Sequence, residues 1–173
     1  MLKLETPRPG LLFVSFLYRS DLYEEKFLTK EWEKIFGPTL KNTPEFNPLA
    51  DYYTKEMGAP LKRFFLASQK TFSRDYLLKA KLQMVEWENL WAQDEKRTVN
   101  IDVGFLTLEN FILATTKNYS HRIFIGENIF ADLTYQFQQG AFQMLPWTYP
   151  DYRDEKKLVF FRELRNHLHV LMR

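Results

Sequence analysis

Cysteine is absent from this chain, and with it go disulfides, thiolate nucleophiles, thiolate zinc sites and iron–sulfur ligation. Glycine is scarce. The six residues at 10, 37, 58, 104, 126 and 140 stand too far apart to write the G-x-G-x-x-G dinucleotide fingerprint or the G-x-x-x-x-G-K-[ST] phosphate loop. No G-x-S-x-G elbow occurs, so the α/β-hydrolase arrangement has no nucleophile to place. Charge of one sign is not in excess, with 24 basic against 22 acidic residues, which argues against a protein held to nucleic acid mainly through phosphates. The longest apolar run, Leu11 to Tyr18, is interrupted by Ser15 and is far shorter than the ~20 residues that cross a bilayer. The first ten residues lack the apolar core of a signal peptide, and the expectation is a soluble cytoplasmic protein without a membrane partner.

Aromatic residues, by contrast, are abundant: 16 Phe and 9 Tyr help bring the aromatic share to 17% and the hydrophobic share to 45%. A chain of this length buries about two-thirds of the surface its unfolded form exposes. The expectation is therefore one domain spanning 1–173, with an aromatic core.

The run L-L-F-V-S-F-L reads as a buried central strand. Asp21 with Glu24 marks a helix start, Leu28, Trp32 and Ile35 give helical spacing, and Gly37-Pro38 stops it, so a helix is predicted over 21–36. A short edge strand fits 39–48, where Pro44 and Pro48 forbid a central one. The segment 49–60 reads as a loop or short helix, and 62–69 as a second strand. Ser73 is the expected cap of a long helix to about Gln93. From Val99 to Phe105 apolar residues alternate with Asn100, Asp102 and Gly104, which makes a strand with Asn100 and Asp102 on one face. Thr107 is read as the cap of a short helix through Ala114. Strands are predicted over 122–125, 129–137 and 141–145, and Leu158, Phe161, Leu164, Leu168 and Leu171 give a final helix. The order through Phe105 is β-α-β-β-α-β. The predicted fold is α+β, with a ferredoxin-like core extended by antiparallel strands and a C-terminal helix.

Several polar residues sit in segments whose periodicity assigns them to the folded body. Asn100, Asp102, His121 and Asp132 combine oxygen donors with one imidazole. That set suits Mg²⁺ or Mn²⁺, with Asp102 and Asp132 as candidate metal ligands, or acid–base work with His121 as the proton-transfer residue. No ligand motif constrains their geometry, so the simpler reading is that Asn100 and Asp102 are solvent-face strand residues or bond to a nearby turn. The segment T-T-K-N-Y-S-H-R brings Thr115, Thr116, Lys117 and Arg122 together, hydroxyls with two cations, as phosphate or carboxylate recognition needs; a polar surface turn would look the same. Asp51, Tyr52, Tyr53 and Glu56, with Trp147, Tyr149 and Asp151, pair aromatic rings with acids, either to stack on a ligand or to pin down loops. Arg162, Arg165, His169 and Arg173 form a basic stripe on the last helix, the usual pattern of a solvated face.

The phrases V-N-I-D-V-G-F-L (99–106), L-A-T-T-K-N-Y-S-H-R-I-F-I-G (113–126) and L-P-W-T-Y-P-D-Y-R (145–153), with D-Y-Y-T-K-E-M-G (51–58), closely resemble a prokaryotic family catalogued as a domain of unknown function, number 4416. The resemblance runs through nearly the whole chain in the same order. It brings no established activity and no functional residue, so the site rests on this chain's own chemistry. The leading expectation is a phosphorylated small molecule or nucleotide, bound in a cleft between the 100–104 strand, the 115–122 loop and the 147–153 loop. Its residues would be Asn100, Asp102, Thr116, Lys117, Arg122, Trp147, Tyr149 and Asp151, with Lys117 and Arg122 on the anion. The alternatives are a non-enzymatic interaction module or homodimer, and a phosphoester hydrolase that uses a divalent metal.

Overall fold

The computed structural model describes residues 2–49 and 51–173. The elements run β1 (Gly10–Arg19), α1 (Glu25–Phe36), β2 (Thr39–Asn42), α2 (Tyr52–Met57), β3 (Leu61–Phe72), α3 (Tyr76–Leu90), β4 (Val99–Leu106), β5 (Asn110–Thr115), β6 (Arg122–Gly126), β7 (Ile129–Gln138), β8 (Ala141–Met144) and α4 (Glu155–Leu171). The fold is α+β. Every strand pairing is antiparallel, in the order β2-β3-β1-β4-β5-β7-β6, with β8 also on β7. Because the sheet continues past β4 for four more strands, its order is not that of a simple ferredoxin-like sheet. No helix among the described residues is long and apolar enough to cross a membrane.

Both faces of the sheet are covered, and β1 shows why its sequence is a continuous apolar run. Leu12, Val14, Phe16 and Tyr18 point to one core with Trp32 of α1 and Met84 of α3. Leu11 and Phe13 point to the other, with Phe65, Phe111 and Tyr135, closed by Phe160, Phe161, Leu164 and Leu168 of α4. Alternate residues of one strand thus feed opposite cores, which a strand buried on both faces requires.

Three local expectations give way to tertiary structure. Residues 110–115 form β5, not a helix: Thr107 accepts from the N–H groups of Glu109 and Asn110, making a tight turn from β4 into β5. A short apolar run such as F-I-L-A cannot be assigned by periodicity, and pairing with β4 and β7 decides it. Helix α1 starts at Glu25, because Asp21 is drawn into an ion pair with Arg19 (2.5 Å). Helix α3 starts at Tyr76, after a turn in which the Ser73 carbonyl accepts from the Tyr76 N–H.

Strand β5 crosses β4 only at Gly104, Phe105 and Leu106. A Cβ on Gly104 would lie 2.8 Å from the Ile112 carbonyl oxygen and 2.9 Å from the Phe111 ring, so only glycine permits this approach. Toward Val99 the two strands splay apart. β4 keeps β1 on its other side throughout. The splay leaves one edge of β4 without a strand partner, and the candidate site occupies that opening.

Candidate functional site

At Ile101, in the splayed part of β4, the backbone is satisfied by side chains. The Ile101 N–H donates to Glu88 Oε1 (2.6 Å), and Lys81 Nζ donates to the Ile101 carbonyl (2.9 Å). Both come from α3, one on each side of Met84, and both are buried. An unpaired backbone group buried away from water costs about 1–3 kcal/mol, so a Lys and a Glu on an otherwise apolar helix face have a structural reason to be there. Burial pushes the Glu88 carboxyl up, against the pull of Lys81, the Ile101 N–H and Arg97.

The cleft beside this opening encloses about 160 Å³. It is lined by Tyr52 and Tyr53 of α2, Arg63 of β3, Lys81, Val85 and Glu88 of α3, Arg97 ahead of β4, Asn100 and Asp102 of β4, Thr115 to Lys117 at the end of β5, and Tyr149 to Tyr152 before α4. The sequence expected the 100–104 strand, the 115–122 loop and the 147–153 loop to meet, and their residues do share one cleft. Asn100, Asp102, Thr116, Lys117, Tyr149 and Asp151 all lie on its wall. Asn100 and Asp102 share a strand face, and Asn100 Nδ2 donates to Asp102 Oδ2 (3.0 Å).

The floor is built around Arg63, which the sequence reading passed over. Its side chain is only 2% exposed. Nη1 donates to Ser15 Oγ (2.9 Å) and lies 3.6 Å from Asp102 Oδ2, and Nε sits 3.1 Å from Asp151 Oδ2 without the alignment of a hydrogen bond. Burial opposes the Arg63 charge, but Asp102, the tyrosines at 53 and 152, and Asp151 together hold its pKa above the usual range. Ser15, the break in the apolar run, is its hydrogen-bond partner. Arg63 Nη2 and the Tyr152 hydroxyl are buried with no acceptor among the described residues. Asp151 is tied down further by the Leu49 N–H (2.8 Å). Arg97 is saturated: it donates to Glu56 (2.6 Å), Glu88 (3.2 Å) and Asn100 (2.9 Å).

His121, Arg122, Asp132 and Trp147 form a second cluster next to the cleft and not on its wall. Arg122 donates through Nε to Asp132 Oδ2 (3.0 Å), through Nη1 to the Lys117 carbonyl (2.9 Å) and through Nη2 to the Tyr149 hydroxyl. Its fork is committed to fixing two loops. Asp132 Oδ2 also lies 3.2 Å from His121 Nε2, and the His121 ring stacks on Trp147 (4.6 Å between centroids). Trp147 Nε1 in turn donates to the Leu133 carbonyl (2.7 Å). Burial lifts the Tyr149 hydroxyl to about 12, so it stays protonated. Asp102 meets Arg63 and Asn100 while Asp132 meets Arg122 and His121, and among the described residues no group of three or more His, Asp or Glu side chains is placed to hold a metal ion.

Two signals could have exposed the missed residues. Leu77, Lys81, Met84 and Glu88 follow the i, i+4, i+7, i+11 stripe of one helix face, which marks Lys81 and Glu88 as inward. Arg63 shares its strand face with Phe65 and Ala67, both buried in the α4-side core.

No curated protein and no solved structure matches this chain. A family model described as "Domain of unknown function (DUF4416)" matches residues 8–168, the stretch that holds every element from β1 into α4 and the whole cleft, and the chain belongs to that family.

Proposed function

We propose that the protein binds a phosphorylated small molecule or nucleotide in the cleft at the β4–β5 splay. The observation that carries this is the pairing of two kinds of donor on one wall. Arg63 and Tyr152 line the inner end, with Nη2 and Oη lacking aligned acceptors among the described residues, and exposed Lys117 lines the mouth. Buried polar groups without partners are rare in folded proteins, and at the wall of a cleft a ligand is the partner to look for. Lys117 supplies the point charge for the anion, while Arg122 acts as a positioning residue that holds the Lys117 backbone and Tyr149. We further read β1–β4 with α1 and α3 as a ferredoxin-like half, extended by β5–β8 and α4, with the cleft at the joint between the halves.

Nucleoside monophosphates and sugar phosphates titrated calorimetrically into the wild type and Lys117→Ala test the reading. The variant is expected to lose at least about tenfold in affinity, with a melting temperature within a few degrees of the wild type because Lys117 is exposed. Equal affinity in the two proteins overturns it.

One observation favours a homodimer. Strand β6 ends the sheet order, with Ile123 and Phe124 exposed to 70% and 60%, and such an edge can pair with its own copy about a two-fold axis. Sedimentation of the same samples separates the readings: a dimer without affinity for any phosphate favours the interaction module.

A further inference from the structure

The inner cleft places a hydrogen-bond acceptor beside donors that lack partners, and this arrangement selects a ligand. Asp102 and Arg63 approach to 3.6 Å. The Asp102 side chain is still 30% exposed, and its carboxylate keeps acceptor capacity toward the cleft. Among the described residues Arg63 Nη2 has no acceptor, and the Tyr152 hydroxyl, beside Ser15, has no aligned one. A phosphate dianion at this depth would meet the Asp102 and Asp151 carboxylates, and like charges in a partly dry site repel strongly. The inner group is therefore neutral, offering an N–H to Asp102 and an acceptor to Arg63 and Tyr152. A carbonyl oxygen has two lone pairs and can serve both donors, whereas a ring nitrogen has one.

Size and walls narrow the class. A cavity of about 150 Å³ lined by apolar side chains admits a benzene-sized group, and this one encloses about 160 Å³. Its walls carry Tyr53, over whose ring the Arg63 guanidinium carbon lies at 5.3 Å, and Tyr149. Flat aromatic walls suit a planar ring, as in the recognition of unstacked bases.

We propose that the cleft reads the edge of a nucleobase that carries a ring N–H beside a carbonyl, an oxo-pyrimidine or the six-membered ring of an oxo-purine. The N–H meets Asp102, the carbonyl meets Arg63 and Tyr152, and the phosphate of the same nucleotide reaches Lys117 at the mouth. This rests on the phosphate-binding reading above and sharpens it.

Five probes test it by calorimetry: UMP and IMP, which present that edge; CMP and AMP, which present an exocyclic amine beside an unprotonated ring nitrogen; and ribose 5-phosphate, which has no base. UMP or IMP is expected to bind at least about tenfold tighter than CMP, AMP and ribose 5-phosphate, since a good two-point base contact discriminates by about 1–3 kcal/mol. Asp102→Ala is expected to remove that preference, bringing UMP and IMP to the affinity of CMP and AMP measured on the same variant. Equal binding of all five, or tighter binding of CMP or AMP, overturns the base assignment and leaves the phosphate reading standing. A preference that survives in Asp102→Ala with its melting temperature intact also overturns it. No binding of any probe removes the cleft reading and this inference together.

Discussion

The guanidinium of Arg63 sits between carboxylates from distant parts of the chain, Asp102 on β4 and Asp151 ahead of α4, and among the described residues only the Ser15 hydroxyl is aligned to accept from it. Two of its three nitrogens lack an aligned acceptor, so charge holds it more than its one hydrogen bond to Ser15 does. Replacing it with Met leaves Asp151, 7% exposed, without its counter-ion. Breaking a buried pair from one side typically costs about 3–5 kcal/mol, and Arg63→Met is expected to lose that much in urea unfolding. A loss under about 1 kcal/mol would mean that water enters the floor and solvates the remaining carboxylates. Strand alternation with Phe65 and Ala67 could mark this side chain as inward, but nothing local could announce its partners. In K-R-F-F-L it looks like the polar flank of a strand, and its partners lie 48, 39 and 88 positions away at Ser15, Asp102 and Asp151. The opposite holds for Asn100 and Asp102: strand alternation alone puts them on one face, and they hydrogen-bond there. Lys117 lines the cleft, whereas Arg122 is committed to Asp132 and Tyr149, which the sequence could not show because a free and an occupied guanidinium are identical in it.

Among the elements, most were legible, the short strands β6 and β8 included, and β5 was not. Helix α4 has both a Leu/Phe face and a cap that can be read locally: Asp154 accepts from the N–H groups of Lys156 (2.7 Å) and Lys157 (3.3 Å) and pairs with Lys157 Nζ (3.1 Å). Strand β5 carries no such signal, and its six residues became a strand only because β4 and β7 flank them. The cap gives a prediction with a definite pH dependence. Slight burial works against the Asp154 carboxylate, but the bonds from Lys157 and from the helix N–H groups outweigh it and hold its pKa below the ordinary 3.8. A carboxylate whose pKa is lower folded than unfolded adds stability that is fully present above the unfolded value and fades as pH falls through the folded one. Asp154→Ala is therefore expected to cost about 1 kcal/mol at neutral pH, the usual worth of an N-cap. The difference from wild type should shrink as pH falls below 3.8. A difference that stays constant through that range would assign the effect to helix propensity and not to the charged cap.

Across the whole molecule, one sheet separates two cores, and β1 sends Leu12, Val14, Phe16 and Tyr18 to one and Leu11 and Phe13 to the other. The tryptophans at 32, 87 and 91 belong to or pack on the α1–α3 side, while Phe161 is on the α4 side, with its ring 5.1 Å from Phe13, 4.5 Å from Phe111 and 5.2 Å from Tyr135. Tryptophan emission therefore reports chiefly on one core and a Phe161 substitution attacks the other. If the sheet couples them, loss of packing beneath α4 must appear in the fluorescence of tryptophans that do not touch it, because Leu11 and Phe13 cannot leave their core without displacing Leu12 and Val14 from the other. Phe161→Ala is expected to cost about 3–5 kcal/mol, the range for emptying an aromatic site in a packed interior. Its urea transitions followed by tryptophan fluorescence and by far-ultraviolet circular dichroism should shift together and coincide. A dichroism transition that precedes the fluorescence one would show α4 leaving the sheet alone. The cleft would then lose its Tyr149 to Tyr152 wall while the rest of the chain stayed folded, and ligand affinity would fall at denaturant concentrations where fluorescence still reads native.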